Sequence, residues 1–147
     1  MTEIILRKMT IEDVDAVAEL DAISFGNDAW SRQLFLYEIE NPRADYIVAE
    51  FDEKIIACAG IEINGNEAYV STIAVTPEFR RRGIAQKIFT KLISTAEKRG
   101  AAYIFLEVRT DNLPSINLCR KFGFKILGRE KNYYAAGEDA FIMGLKI

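Results

Sequence analysis

The sequence contains no histidine, and that absence excludes more chemistry than any single residue present suggests. Histidine is the commonest general base, the middle member of Ser-His-Asp and Cys-His arrangements, and a ligand in most zinc sites. Cysteine is nearly as scarce. Cys58 and Cys119 lie far apart, match no metal or redox spacing, and leave a reducing cytosol as the simplest setting. No apolar run approaches the roughly 18–20 residues of a membrane span, and the N-terminus lacks a basic-then-apolar signal pattern, so a cytoplasmic protein is expected. Positive charge is not in excess either: 19 Lys and Arg against 22 Asp and Glu give a net charge of −3, which argues against a general nucleic-acid binder. No repeat, low-complexity tract or linker interrupts the 147 residues. With 50% hydrophobic and 28% charged residues, they fit one domain over 1–147 with a real core.

Against this background the run Arg80-Arg81-Arg82-Gly83-Ile84-Ala85 stands out. It follows an apolar strand-like stretch, Tyr69 to Val75, across a turn at Thr76-Pro77-Glu78-Phe79, and it opens an amphipathic helix. A helix start carries backbone N–H groups without internal partners, and the helix dipole favours negative charge there. Gly83 lets the backbone approach a phosphate closely, and the arginines add charge and forked donors. In isolation the same run also reads as a solvated charge cluster before a helix.

The remaining pattern is mixed. Glu3 to Lys8 reads as a strand. Thr10 caps a helix with Glu12 and Asp13 in its first turn and Val14, Val17, Ala18 and Leu20 on its apolar side. A second helix spans Ser31 to Ile39, ended by Asn41-Pro42. Strands follow at Tyr46 to Phe51 and Ile55 to Ile63, joined by a turn at Asp52-Glu53-Lys54, and Asn64-Gly65-Asn66 signals a hairpin. After Gly83, Ile84, Ile88, Phe89, Leu92 and Ala96 recur at helical spacing up to a stop at Arg99-Gly100. Ala101 to Val108 is a buried strand, so strand, helix and strand predict a right-handed parallel crossover. A short helix from Asp111-Asn112-Leu113-Pro114 to Gly123, then strands at Phe124 to Arg129 and Ala140 to Lys146, complete the chain.

Arg80, Gly83 and Ala85 fill the fixed places of the Arg/Gln-x-x-Gly-x-Gly/Ala signature of the GNAT superfamily, which the chain resembles. Four further matches fall in the correct order: Ile73-Ala74-Val75, Leu106-Glu107-Val108-Arg109, Asn112 leading to Phe122-Gly123-Phe124, and Asn132-Tyr133-Tyr134 followed by Glu138-Asp139-Ala140. Together they resemble the bacterial ribosomal-protein alanine N-acetyltransferase branch, over nearly the whole chain. The resemblance implies an α/β fold with a mixed, mostly antiparallel sheet of about seven strands, a central parallel pair and about four helices. It also implies acetyl-CoA as cosubstrate, without a metal. The main chain of Ile73, Ala74 and Val75 would hold the pantetheine arm. Arg80, Arg81, Arg82, Gly83, Ile84, Ala85 and Gln86 would hold the pyrophosphate, with Asn112 also touching the cofactor. The expected partner is a protein N-terminus on a ribosomal protein. Neither nucleic acid nor membrane is expected as a partner, and the chain is expected to be a monomer or weak dimer.

Glu107 is the candidate general base. It ends an otherwise apolar strand, where desolvation raises a carboxyl toward the working range, and the matching glutamate has this role in the branch. The alternative is a strand-end carboxylate paired with Arg109 or another cation. An α-amine has a pKa near 7.7–8.0 and a lysine near 10.4, so deprotonating lysine costs roughly 3.4 kcal/mol more, and a glutamate without histidine support suits the α-amine better. Cys119 departs from the branch, which has a tyrosine there as the acid that protonates the departing thiolate. Cys119 can itself be that acid, Tyr133, Tyr134 or water can substitute, or no dedicated acid is needed. Acetyl transfer through Cys119 and a buried, inert cysteine are the other readings. Tyr133 and Tyr134 are expected to border the acceptor groove, with Trp30 and Phe25 as the opposite wall or as packing aromatics. Cys58 reads as core. A GNAT enzyme for a small amine and a non-catalytic acetyl-CoA sensor remain alternative functions.

Overall fold

A computed structural model describes residues 3–147. Seven strands form one sheet in the order β1-β2-β3-β4-β5-β7-β6. They are β1 (Ile5–Lys8), β2 (Ala44–Phe51), β3 (Lys54–Asn64), β4 (Glu67–Val75), β5 (Tyr103–Arg109), β6 (Lys125–Glu130) and β7 (Ala140–Lys146). The helices are α1 (Val14–Phe25), α2 (Arg32–Glu38), α3 (Ile84–Lys98) and α4 (Leu113–Lys121). β4 and β5 run parallel and every other neighbouring pair is antiparallel, as the predicted crossover and fold class require. No helix of the described residues is long and apolar enough to cross a membrane.

The two faces of the sheet are covered by different helices. Ile84, Ile88, Phe89, Leu92 and Ala96 of α3 pack with Ala57, Ala59, Ile61, Ile63, Ala68 and Val70 and with Ile104, Leu106 and Val108. On the other face Val14, Val17 and Leu20 of α1 and Phe35 of α2 pack with Tyr46, Val48, Cys58 and Ala74. Cys58 is core, as expected. Gly60 is needed by this second core, because a Cβ there would overlap the Tyr46 ring.

Several boundaries differ from the sequence reading for local reasons. The first helix begins as a 3-10 turn, Ile11–Asp13, with α1 proper starting at Val14. Asp13 serves that start by accepting from the Thr10 N–H at 2.8 Å. Ser31 is the cap of α2, accepting from Leu34 N at 3.2 Å, and not its first residue. β5 starts at Tyr103, since Ala101 closes the end of α3 by donating to the Ala96 carbonyl at 2.9 Å and Ala102 donates to the Asn66 carbonyl, in the β3–β4 turn, at 2.7 Å. Arg80 to Gly83 lie in a loop ahead of α3, whereas the sequence pattern has the run itself open the helix.

One irregularity shapes everything downstream. Between Gly60 and Ile61 the β3–β4 register shifts: Ile61 faces Val70 and Gly60 faces Thr72, so Ser71 is an unpaired extra residue on β4. Such a bulge bends its strand and increases the local twist. It also exchanges the faces. Ala68 and Val70 point to the α3 core before it, whereas Ile73 and Val75 do so after it, and Ala74 falls in the α1 core.

Candidate active site

β4 and β5 pair only over Glu67 to Tyr69 and Tyr103 to Phe105. Beyond that point the bulged β4 leaves its neighbour, while β5 stays paired with β7 as far as Arg109 and Ala140. The sheet therefore forks. Peptide groups on the free side of β4 lose their ladder partners, which buried or half-buried backbone does not tolerate unless a ligand or water replaces them. The fork widens into a cleft of about 450 Å³ lined by Val70 to Ile73 on one arm and Leu106 to Arg109 on the other.

At the far end of β4 stands a second donor set. Arg81 and Gly83 have φ of +62° and +78°, an alternation that turns successive N–H groups into one concavity. The first intrahelical bond of α3 is donated by Lys87 to the Gly83 carbonyl at 3.2 Å, and no side chain caps this helix. The N–H groups of Ile84, Ala85 and Gln86 are thus the natural partners of an anion. The arginines are less uniformly available than the run suggests. Arg80 Nε donates to the Val75 carbonyl at 3.1 Å, and the Arg82 guanidinium lies 4.9 Å over the Phe79 ring.

Glu107 sits inside the fork, on β5, opposite Ile142 of β7. Its side chain is solvent-accessible through the cleft, yet the surrounding walls make desolvation the leading cause of a raised pKa, with Glu130 adding to the shift. The competing pairing with Arg109 is absent. Arg109 Nη2 donates to Asp28 Oδ2 at 2.9 Å, its Nη1 donates to Glu138 Oε1, and its plane lies 4.4 Å from the Tyr134 ring. Glu107 makes no ion pair among the described residues.

Trp30, Ile73, Glu107, Asn112, Cys119, Tyr133 and Tyr134 come together around this one cleft. Ala74, Val75 and Arg80 to Gln86 are not on its lining. Val75 and the arginine run continue the β4 arm beyond it, while Ala74 is buried with Cys58 on the α1 side. Asn112 caps α4, its Oδ1 accepting from Ser115 N at 3.2 Å, which leaves its NH2 free to donate. Cys119 is buried, and desolvation pushes its thiol up to about 11. Tyr134 is likewise pushed up to about 12, chiefly by burial, and packs edge-on against the more exposed Tyr133 at 4.9 Å. Trp30 lines the cleft with one side and packs on Phe35 and Tyr46 with the other, at 5.4 and 6.0 Å. It is both wall and core.

Three residues of the site have no catalytic or binding role in the sequence reading. Asp21, buried on α1 and lining the cleft, accepts from Trp30 N and from Thr72 Oγ1, both at 2.8 Å. Among the described residues it has no cationic partner, and burial raises its pKa. Its signal is a carboxylate one turn after Val17 on the helix's buried face. Asp28 and Arg109 form the second set. Asp28 Oδ2 takes the Arg109 bond and its Oδ1 accepts from Ala135 N at 2.9 Å.

The family model for the acetyltransferase (GNAT) family matches residues 14–124. A Bacillus subtilis protein described as a putative ribosomal protein bS18-alanine N-acetyltransferase is 37% identical over 99% of this chain and 97% of its own. An N-alpha-acetyltransferase of Mycobacterium tuberculosis is 36% identical over 92% and 87% of the two chains. The crystal structure of the ribosomal-protein-S18-alanine N-acetyltransferase of Escherichia coli superposes with a TM-score of 0.88 at 30% identity, covering 99% of this chain and 94% of that one.

Proposed function

The chain belongs to the GNAT family and is an acetyl-CoA-dependent N-acetyltransferase, and from that premise we propose that it acetylates the N-terminal alanine of a small-subunit ribosomal protein. The likeness to relatives described by that activity supports the acceptor. The observation that carries the reading is the position of Glu107: an unpaired carboxylate inside the fork, between the unladdered arm of β4 and the Tyr133–Tyr134 wall. Residues 1–147 act as one catalytic domain.

The cosubstrate supplies an activated acetyl thioester; the chain supplies alignment and proton handling. Main-chain groups of Ile73, Ala74 and Val75 run along the pantetheine arm and polarise the acyl carbonyl. N–H groups of Gly83 to Gln86, with the arginines Arg80, Arg81 and Arg82 around them, receive the pyrophosphate, and the Asn112 amide adds a donor. Trp30, Tyr133 and Tyr134 border the acceptor. Glu107 must be ionised to take a proton from the incoming ammonium, directly or through one water. Its raised pKa makes it a stronger base than an ordinary carboxylate. Proton return is the less developed step. Cys119 is protonated at neutral pH, but moving its proton from a thiol raised to about 11 to a thiolate of ordinary pKa near 8.5 is uphill by on the order of 3 kcal/mol. Water shares that role with it.

The test is CoA release with three acceptors: an Ala-initiated peptide, the same peptide with a blocked N-terminus and an internal lysine, and a panel of free amines. Turnover on the first alone is expected. Turnover confined to free amines would replace the peptide reading, and tight acetyl-CoA binding without any turnover would leave a sensor.

A further inference from the structure

The acceptor side of the cleft has two walls with no strand ladder between them. One is the segment after α1, through Asp28 and Trp30; the other is the β6–β7 loop, through Tyr134 and Glu138. A single guanidinium spans them. Arg109, projecting from the end of β5, donates to Asp28 at 2.9 Å on one wall, donates to Glu138 on the other, and covers the Tyr134 ring at 4.4 Å. Asp28 then crosses the gap itself, accepting from Ala135 N at 2.9 Å. A planar fork with a stacking face suits all three contacts, whereas an ammonium group offers neither the fork nor the face.

Charge decides what happens without it. Asp28 and Glu138 bring two negative charges to one cation, and their side chains are only 23% and 33% exposed. With the cation gone, two carboxylates face each other across the gap, in a setting where salt screens less than on open surface. We infer that Arg109 is a positioning residue which holds the two acceptor walls closed on the incoming N-terminus, and so sets acceptor affinity and leaves donor affinity alone. This rests on the reading of the cleft as an α-amine acceptor site.

The test compares Arg109→Gln, Arg109→Lys and a double variant combining Arg109→Gln with Asp28→Asn, in steady-state kinetics with acetyl-CoA and an Ala-initiated peptide. Trypsin cleavage at the exposed Lys131 of the loop is followed in parallel. Arg109→Gln is expected to raise the peptide KM about tenfold or more, the scale of a broken, partly buried ion pair. Its kcat should stay within about threefold and its acetyl-CoA KM within about twofold, while cleavage at Lys131 accelerates. Arg109→Lys should fall between it and the parent.

The distinguishing signature is the sign of the second change. Removing one of two repelling carboxylates should return part of the lost peptide affinity, because the amide oxygen introduced by Asp28→Asn can still accept from Ala135 N. An unchanged peptide KM in Arg109→Gln overturns the inference. So does a parallel loss in kcat and both KM values with a lowered Tm, or a double variant weaker than the single. Proteolysis needs no acceptor. A parent enzyme inactive on Ala-initiated peptides therefore refutes the acceptor reading alone, whereas active enzyme with unaltered loop cleavage in Arg109→Gln refutes the clasp.

Discussion

In the proposed reading, the two sides of the cleft recognise by different means. On the β4 side the recognising atoms are peptide groups: the unladdered arm past Ser71 and the first N–H groups of α3. On the acceptor side they are side chains, drawn from α1, the segment after it, the end of β5 and the β6–β7 loop. A main-chain site depends on backbone conformation and tolerates side-chain exchange at most of its positions. A side-chain site depends on a few groups that have to meet across the fold. The donor is common to the whole family and the acceptor is what a member selects, so each half is built in the way its task permits.

The largest effect should come from the one residue between the halves. Glu107→Gln is expected to lower kcat by roughly 10²–10⁴-fold, the usual worth of a positioned base, with both KM values nearly unchanged. Its pH profile gives the sign. In the parent, kcat should be lost as pH falls through the raised Glu107 pKa, because the proposed working form is the ionised one. The variant should lack that limb and keep only the one set by the acceptor amine, and identical profiles would remove Glu107 from the reaction.

Next in size is a pair of changes within the donor half. Gly83→Val forces a β-branched residue to φ near +78°, a strain of order 1–3 kcal/mol, and should raise the acetyl-CoA KM about tenfold or more with peptide KM unchanged. Arg82→Ala, which removes only a guanidinium resting on Phe79, should raise it about threefold or less. The reverse order would mean that side chains, and not the backbone, hold the donor. The smallest effect is expected from Cys119→Ser, within about twofold in kcat. A shortfall of about a hundredfold would make the thiol the proton donor despite its high pKa, or an acyl carrier detectable as a thioester by mass spectrometry.

The same contrast explains what can be read from the sequence. The donor half is local: strand, turn, Arg80 to Ala85 and helix lie in one continuous stretch, and their spacing is visible without a fold. The acceptor half is not. Thr72 meets Asp21 across 51 residues, Arg109 meets Asp28 across 81, and Ala135 meets Asp28 across 107. No periodicity or motif encodes such meetings, so in the sequence Arg109 stands only as a neighbour of Glu107, two residues away. The elements themselves are legible because α3 and the strands carry clear periods. Their ends are not, because Ser31, Ala101 and Arg80 are spent on caps and closures that depend on their neighbours. The fork is hidden for a different reason. Its sign is the broken alternation at Val70, Ser71 and Thr72, and one misplaced residue in a short apolar run is easily taken for noise.

That extra residue has a consequence for how the chain can change over time. Most connections of this protein lie outside the cores, where insertions and deletions cost little. Between Val70 and Thr72 the tally of residues is itself the information. Losing Ser71 would restore an unbroken alternation and leave every neighbour on its present face, Thr72 and Ala74 toward α1 and Ile73 and Val75 toward α3. Thr72 would still face Asp21, but the bulge and its bend would be gone, and the strand would lose its reason to leave β5. A lineage can exchange the letters along this stretch, but its length is fixed: a single deletion there would spare both cores and close the fork, a loss of function with no loss of fold.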